Sequence, residues 1–161
     1  TGIRGAGAAE CMGYSSDLLT NESINSMFVT VFYGIYNIQT GEVTYTNAGH
    51  NPPYLIKADG SIEQLPLSKN IVAGVFESFE FSEDTLQLEH GDMLLLYTDG
   101  VTEATDIEFK EYGEKRLEEL IKQNAKVDCQ TMIDTVKADV KAFAGEAKQS
   151  DDITLLALKR L

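Results

Sequence analysis

Two acidic sites in this 161-residue chain could do chemistry. The first is Tyr97-Thr98-Asp99-Gly100, reached through the apolar run Met93-Leu94-Leu95-Leu96. Asp99 is therefore expected at a rigid strand end, with Gly100 allowing a tight turn beyond it. The second is Gln149-Ser150-Asp151-Asp152, where paired acids precede the apolar segment Ile153–Leu158. Hard cations such as Mg²⁺ and Mn²⁺ prefer carboxylate and water oxygens to sulfur or imidazole. Carboxylates at two neighbouring strand ends could share such ions. Taken singly, each aspartate also reads as an ordinary cap of a turn or helix start.

The elements that must position these acids read as follows. Met27–Ile38 is dense in β-branched and aromatic residues and predicts a long strand. A turn at Gln39–Glu42 returns it through Val43–Thr46. Pro52 and Pro53 break regular structure before Tyr54–Lys57, and Asp59-Gly60 joins that strand to Ser61–Leu65 as a hairpin. Phe79–Leu88 alternates like a half-buried strand, and Met93–Tyr97 suits one buried on both faces. Apolar stripes predict helices over Glu114–Asn124 and Cys129–Phe143, with Gly145 as a stop for the second. Ile153–Leu158 is the last strand. Hairpin strands, two helices and a closing strand describe an α+β protein with antiparallel sheets flanked by helices. Residues 1–24, rich in Gly, Ala and Ser, form a poorly determined lead segment, with a short helix and a loop expected; residues 25–161 form the domain proper.

Among the remaining residues, His50 sits in a Pro-rich turn and is expected to brace it rather than to act as a general acid. His90 reads as surface, and Phe28, Phe32 and Tyr36 as core or sheet face. Glu103 reads as an acid opening a helix rather than a ligand. Hydrophobic residues make up 43 % of the chain, enough for a real core. The net charge of −13, from 13 basic and 26 acidic residues, disfavours nucleic acid and anionic membrane surfaces. No apolar run approaches the roughly 18 residues of a membrane span, and no secretory h-region opens the chain. Cys11 and Cys129 read as reduced thiols, and a cytoplasmic location is expected.

Four segments occur in order: Met27-Phe-Val-Thr30; Asn47-Ala-Gly-His-Asn-Pro-Pro53; Gly91-Asp92 leading to Leu96-Tyr-Thr-Asp-Gly-Val-Thr-Glu-Ala104; and Ser150-Asp-Asp-Ile-Thr154. Together they resemble the SpoIIE/RsbU family of bacterial phosphatases, relatives of the type 2C (PPM) serine/threonine phosphatases. The resemblance implies a PPM-type β-sandwich of antiparallel sheets with flanking helices. It also implies a binuclear Mn²⁺ or Mg²⁺ site at Asp99, Gly100, Asp151 and Asp152. Asp99 and Asp151 would be the catalytic metal ligands, and Asp152 would orient Asp151 or hold an outer-shell water. The substrate class it implies is a phosphorylated regulatory protein, such as an anti-sigma-factor antagonist.

The sequence also departs from that family. Two further aspartates come from the family's N-terminal half, one in a Gly-Gly-Asp-type motif and one in Asp-x-Ser-Gly-x-Gly. Here Gly2 stands at the second of these positions and Arg4 at the serine. The expectation is a domain lacking its N-terminal part, with weak or absent metal binding and activity. Sheet edges left exposed by missing strands would favour self-association into a homodimer. The alternative is a non-catalytic, degenerate phosphatase serving as a protein-interaction module.

Overall fold

The computed structural model describes residues 5–22, 27–149 and 151–161. Gly2, Arg4 and Ser150, which figured in the motifs above, lie outside the described residues. In chain order the elements are α1 (Ala8–Glu22), β1 (Val31–Tyr36), β2 (Glu42–Ala48), β3 (Tyr54–Ile56), β4 (Ile62–Gln64), β5 (Asp84–Gln87) and β6 (Met93–Tyr97). They continue with α2 (Asp99–Thr102), α3 (Glu114–Gln123), α4 (Cys129–Ala144) and β7 (Leu155–Lys159). The chain forms two compact units: residues up to Pro52 with Pro66–Leu88, and Pro53–Leu65 with Glu89–Leu161.

The first unit holds α1 and a three-stranded antiparallel sheet ordered β1-β2-β5. Asn37 forms its tight turn, its Oδ1 accepting from the N–H groups of Gln39 and Thr40 at 2.9 and 3.2 Å. Phe32 stacks on Tyr45 across the β1–β2 pair, ring centroids 5.0 Å apart. A small core of Met12, Ala48, Ala73 and Phe81 joins α1 to the sheet. Buried Ser16 on α1 accepts a hydrogen bond from the Gly74 N–H.

The second unit carries the acids. Its four-stranded sheet runs β4-β3-β6-β7, antiparallel throughout. Residues Ile56, Met93, Leu95 and Tyr97 from the strands share one core with Leu117 and Ile121 of α3 and Met132, Val136 and Val140 of α4. This is the core that the apolar stripes demand. Arg116 links the two helices: its guanidinium makes a bidentate contact with Asp139 at 2.9 and 3.1 Å and lies over the rings of Tyr112 and Phe143. Asp92, 2 % exposed, ties the start of β6 to the β3–β4 hairpin. Its carboxylate accepts from the Ala58 and Glu89 N–H groups and from Lys57 Nζ. Asp128 caps α4 by accepting from the Thr131 N–H, and Gly145 ends the helix at φ 59°.

Several expectations shift. β1 begins at Val31 because residue 29 leaves the ladder for a separate bridge with Ala73. Phe28 is 63 % exposed and belongs to no core among the described residues. Only Asp84–Gln87 of the expected 79–88 strand is a ladder strand; Phe79 and Phe81 form an edge-on aromatic pair, with Phe81 in the small core and Phe79 packed against it. The helix expected in the lead segment is α1, 15 residues long rather than short, and α2 is a further turn that the stripes do not predict.

Candidate active site

Antiparallel pairing sets the geometry. Tyr97 opposes Leu155 at the last rung of β6 and β7, so the residues following Tyr97 and those preceding Leu155 emerge at one end of the ladder. Asp99 and Asp151 both lie there. Thr98 locks the two segments together. Its N–H donates to the Thr154 carbonyl at 3.1 Å. Its hydroxyl donates to the Asp152 carbonyl at 2.8 Å and accepts from the Thr154 N–H at 2.9 Å. Three bonds thus converge on one residue, extending the β6–β7 contact past the strands.

Asp99 opens α2, a single helical turn, and Glu103 closes it with its N–H on the Asp99 carbonyl. Glu103 is therefore at the helix exit, not its start. Gly100 is buried against the other segment. A Cβ built there would lie 2.5 Å from the Asp152 carbonyl oxygen and 3.2 Å from that of Asp151. Only a glycine permits so close an approach, and the approach is what brings the two acidic loops together. One oxygen of Asp99 accepts from the Gly100 N–H at 2.9 Å, and one of Asp151 accepts from the Asp152 N–H at 2.7 Å. Gln149 donates to the Asp151 carbonyl at 2.8 Å. All three aspartates are exposed, and among the described residues none is paired with a Lys, Arg or His.

The donor set suits a divalent cation in kind: exposed carboxylates, each with an oxygen not committed to a protein hydrogen bond among the described residues. It falls short in number. Among the described residues, no group of three or more His, Cys, Asp or Glu side chains is gathered for an ion. Hard cations of this kind take about six or more oxygen ligands, so the carboxylates here would leave most positions to water or to other groups.

The His50 turn is braced by Asn47, whose Oδ1 accepts from the His50 N–H at 2.8 Å and whose Nδ2 donates to its carbonyl at 2.9 Å. The imidazole is not the brace. His90 is exposed and its Nδ1 meets the Leu161 carbonyl oxygen. Sequence reasoning passed over Thr98 and Gln149 as individual residues. The one cue was a hydroxyl residue between a buried strand and an acid, which does not name the partners that Thr98 bonds.

A sequence model of the family described as Stage II sporulation protein E (SpoIIE) matches residues 4–161. Protein IcfG of Synechocystis sp. (strain ATCC 27184 / PCC 6803 / Kazusa) is 32 % identical over 143 residues, covering 89 % of this chain and 22 % of that protein. The phosphoserine phosphatase RsbU of Bacillus subtilis (strain 168) is 33 % identical over 137 residues, covering 84 % of this chain and 40 % of the relative. The solved RsbU and RsbW domains of Rv1364c from Mycobacterium tuberculosis superpose with a TM-score of 0.80 at 25 % identity, over 98 % of this chain and 44 % of that one. The chain thus spans less than half the length of each of these relatives. Its mixed helices and antiparallel sheets are those of the type 2C phosphatase domains. By its sequence match and its fold, the chain belongs to the SpoIIE family of PPM-type phosphatases.

Proposed function

We propose that the chain contributes to a metal-dependent phosphoserine/phosphothreonine protein phosphatase acting on a bacterial regulatory phosphoprotein, such as an anti-sigma-factor antagonist. The observation that supports this is the Thr98 clamp, which holds the Asp99 and Asp151 loops together at one sheet end. Asp99 and Asp151 would hold Mn²⁺ or Mg²⁺, with the Gly100 backbone and Asp152 beside them. When bound, such ions lower the pKa of a water and neutralise phosphoryl charge. The protein's own part is positional: the strand ends fix the acids, and the buried glycine lets the loops touch. With two acids where the family uses about four, affinity in this chain is expected to be weak.

A degenerate, non-catalytic interaction module is the second reading. Gly2 and Arg4, at positions where the family has Asp and Ser, favour it. Calorimetric titration with Mn²⁺ tests the first reading. The expected outcome is a dissociation constant above roughly 10⁻⁴ M, lost in Asp99→Asn. No heat at about 10 mM Mn²⁺ would remove the metallophosphatase reading. Robust Mn²⁺-dependent turnover of p-nitrophenyl phosphate, abolished by Asp99→Ala, would overturn the forecast of weak activity and remove the second reading.

A further inference from the structure

Beside the acid loops lies a pocket of about 380 Å³, walled by the residues that leave α2, the last turns of α4 and the segment leading to β7. Its apolar floor includes Val140, Ala144 and Ile153. Its rim carries Lys137, Lys141 and Lys148, all exposed. Among the described residues none of these lysines is ion-paired. Lys137 and Lys141 stand one helical turn apart on α4. Gly145 turns the chain at the end of α4, bringing residues 147–149 around as the pocket's third wall.

The charge distribution is what makes this pocket unusual. The chain has 26 acidic and 13 basic residues, yet three of the bases and none of the acids line the pocket among the described residues. A protein with net negative charge repels an acidic partner, so such a partner approaches best where the local field is reversed. The pocket is also physically joined to the candidate site. Gln149, one of its walls, donates to the Asp151 carbonyl, and Ile153 follows Asp152 directly. An apolar floor with a cationic rim fits an aliphatic side chain flanked by carboxylates.

The geometry points to this pocket as the subsite that receives an acidic segment with one aliphatic residue, belonging to the phosphoprotein substrate and lying beside its phosphorylated residue. The assignment rests on the phosphatase reading above. It deepens that reading by giving the substrate a sequence character.

The probe is a fluorescein-labelled peptide with one leucine among glutamates, titrated by anisotropy at low ionic strength without metal. The expected result is saturable binding that weakens as salt rises. K137E/K141E should weaken it at least about tenfold, whereas K137R/K141R should retain it. Peptides with glutamine for glutamate, or alanine for leucine, should bind more weakly. Equal affinity of K137E/K141E for the acidic peptide would overturn the assignment, as would absence of saturation. Lysine-dependent capture by phosphatidylserine vesicles without peptide binding would overturn it as well. Mn²⁺ calorimetry on wild type and K137E/K141E reads the phosphatase proposal separately, since these lysines hold no metal. Peptide binding without Mn²⁺ uptake leaves the pocket and removes the phosphatase; Mn²⁺ uptake without peptide binding does the reverse.

Discussion

Replacing Gly100 with alanine sets two opposite effects against each other, and the structure decides the sign. Gly100 lies inside α2 without a left-handed backbone, so on propensity alone alanine should stabilise it by about 0.5–1 kcal/mol. The added methyl, however, would sit 2.5 Å from the Asp152 carbonyl oxygen, a backbone atom that cannot swing away. Real contacts of this kind stay above 3.0 Å, so the loops must part by at least about half an ångström. Overpacking of this sort costs about 1–3 kcal/mol, and stretching the Thr98–Asp152 and Thr98–Thr154 bonds adds up to about 1 kcal/mol each. The net expectation is a loss of about 1–3 kcal/mol, or roughly 3–10 °C in Tm for a chain of this size. Thermal and urea unfolding of Gly100→Ala against wild type measure it, with Mn²⁺ heats recorded in parallel. An equal or higher Tm would refute the close approach of the two acidic loops, and with it the argument that they form one site.

Thr98→Val keeps the shape but removes the hydroxyl that donates to Asp152 and accepts from Thr154; it should cost about 1–2 kcal/mol in urea unfolding, with Thr98→Ser recovering most of it. Asp92→Ala strands two backbone N–H groups and Lys57 at a buried corner and should cost about 2–4 kcal/mol, read from the denaturation midpoint. Hydrogen bonds from Arg116, and secondarily from Tyr112, hold the Asp139 carboxyl below its usual 3.8 against a smaller opposing effect of burial. A depressed folded pKa means that its stabilisation is present above about pH 4 and fades as pH falls through the folded value. The stability gap between wild type and Asp139→Asn should therefore be open at pH 7 and shrink below about pH 4. Solvent screening keeps it under about 1 kcal/mol.

Legibility followed how local the determining forces were. Met93–Tyr97 emerges with the bounds the sequence implies, because a continuous apolar run between turn residues has few other uses. Helix α4 starts at Cys129 and stops at Gly145 as its cap and stripe dictate. Helix α1 is legible only as a short helix, without its length. Ser15 and Thr20 bond back to the carbonyls of Cys11 and Ser16, a poor helix signal, and burial of Met12 with Phe81 holds the segment instead. The spacing of Phe79 and Phe81 imitates a strand but serves a loop anchor, since both rings pack with the small core rather than on a ladder. The two acids of the candidate site were legible from their place beside apolar runs. The Thr98 clamp was not, because it depends on which strand lies next to β6, and one sequence cannot supply that neighbour.

The order in which the chain visits its two units has a practical result. Residues 53–65 belong with 89–161, yet residues 66–88 between them return to the first unit. No single scission can separate the units. Cleavage after Leu88 strips β3 and β4 from the sheet and leaves β6 with one bare flank. A chain cut between Leu88 and Glu89 should thus yield pieces of which neither holds the whole four-stranded sheet, and subcloning either unit as one uninterrupted stretch is ruled out by the path of the backbone.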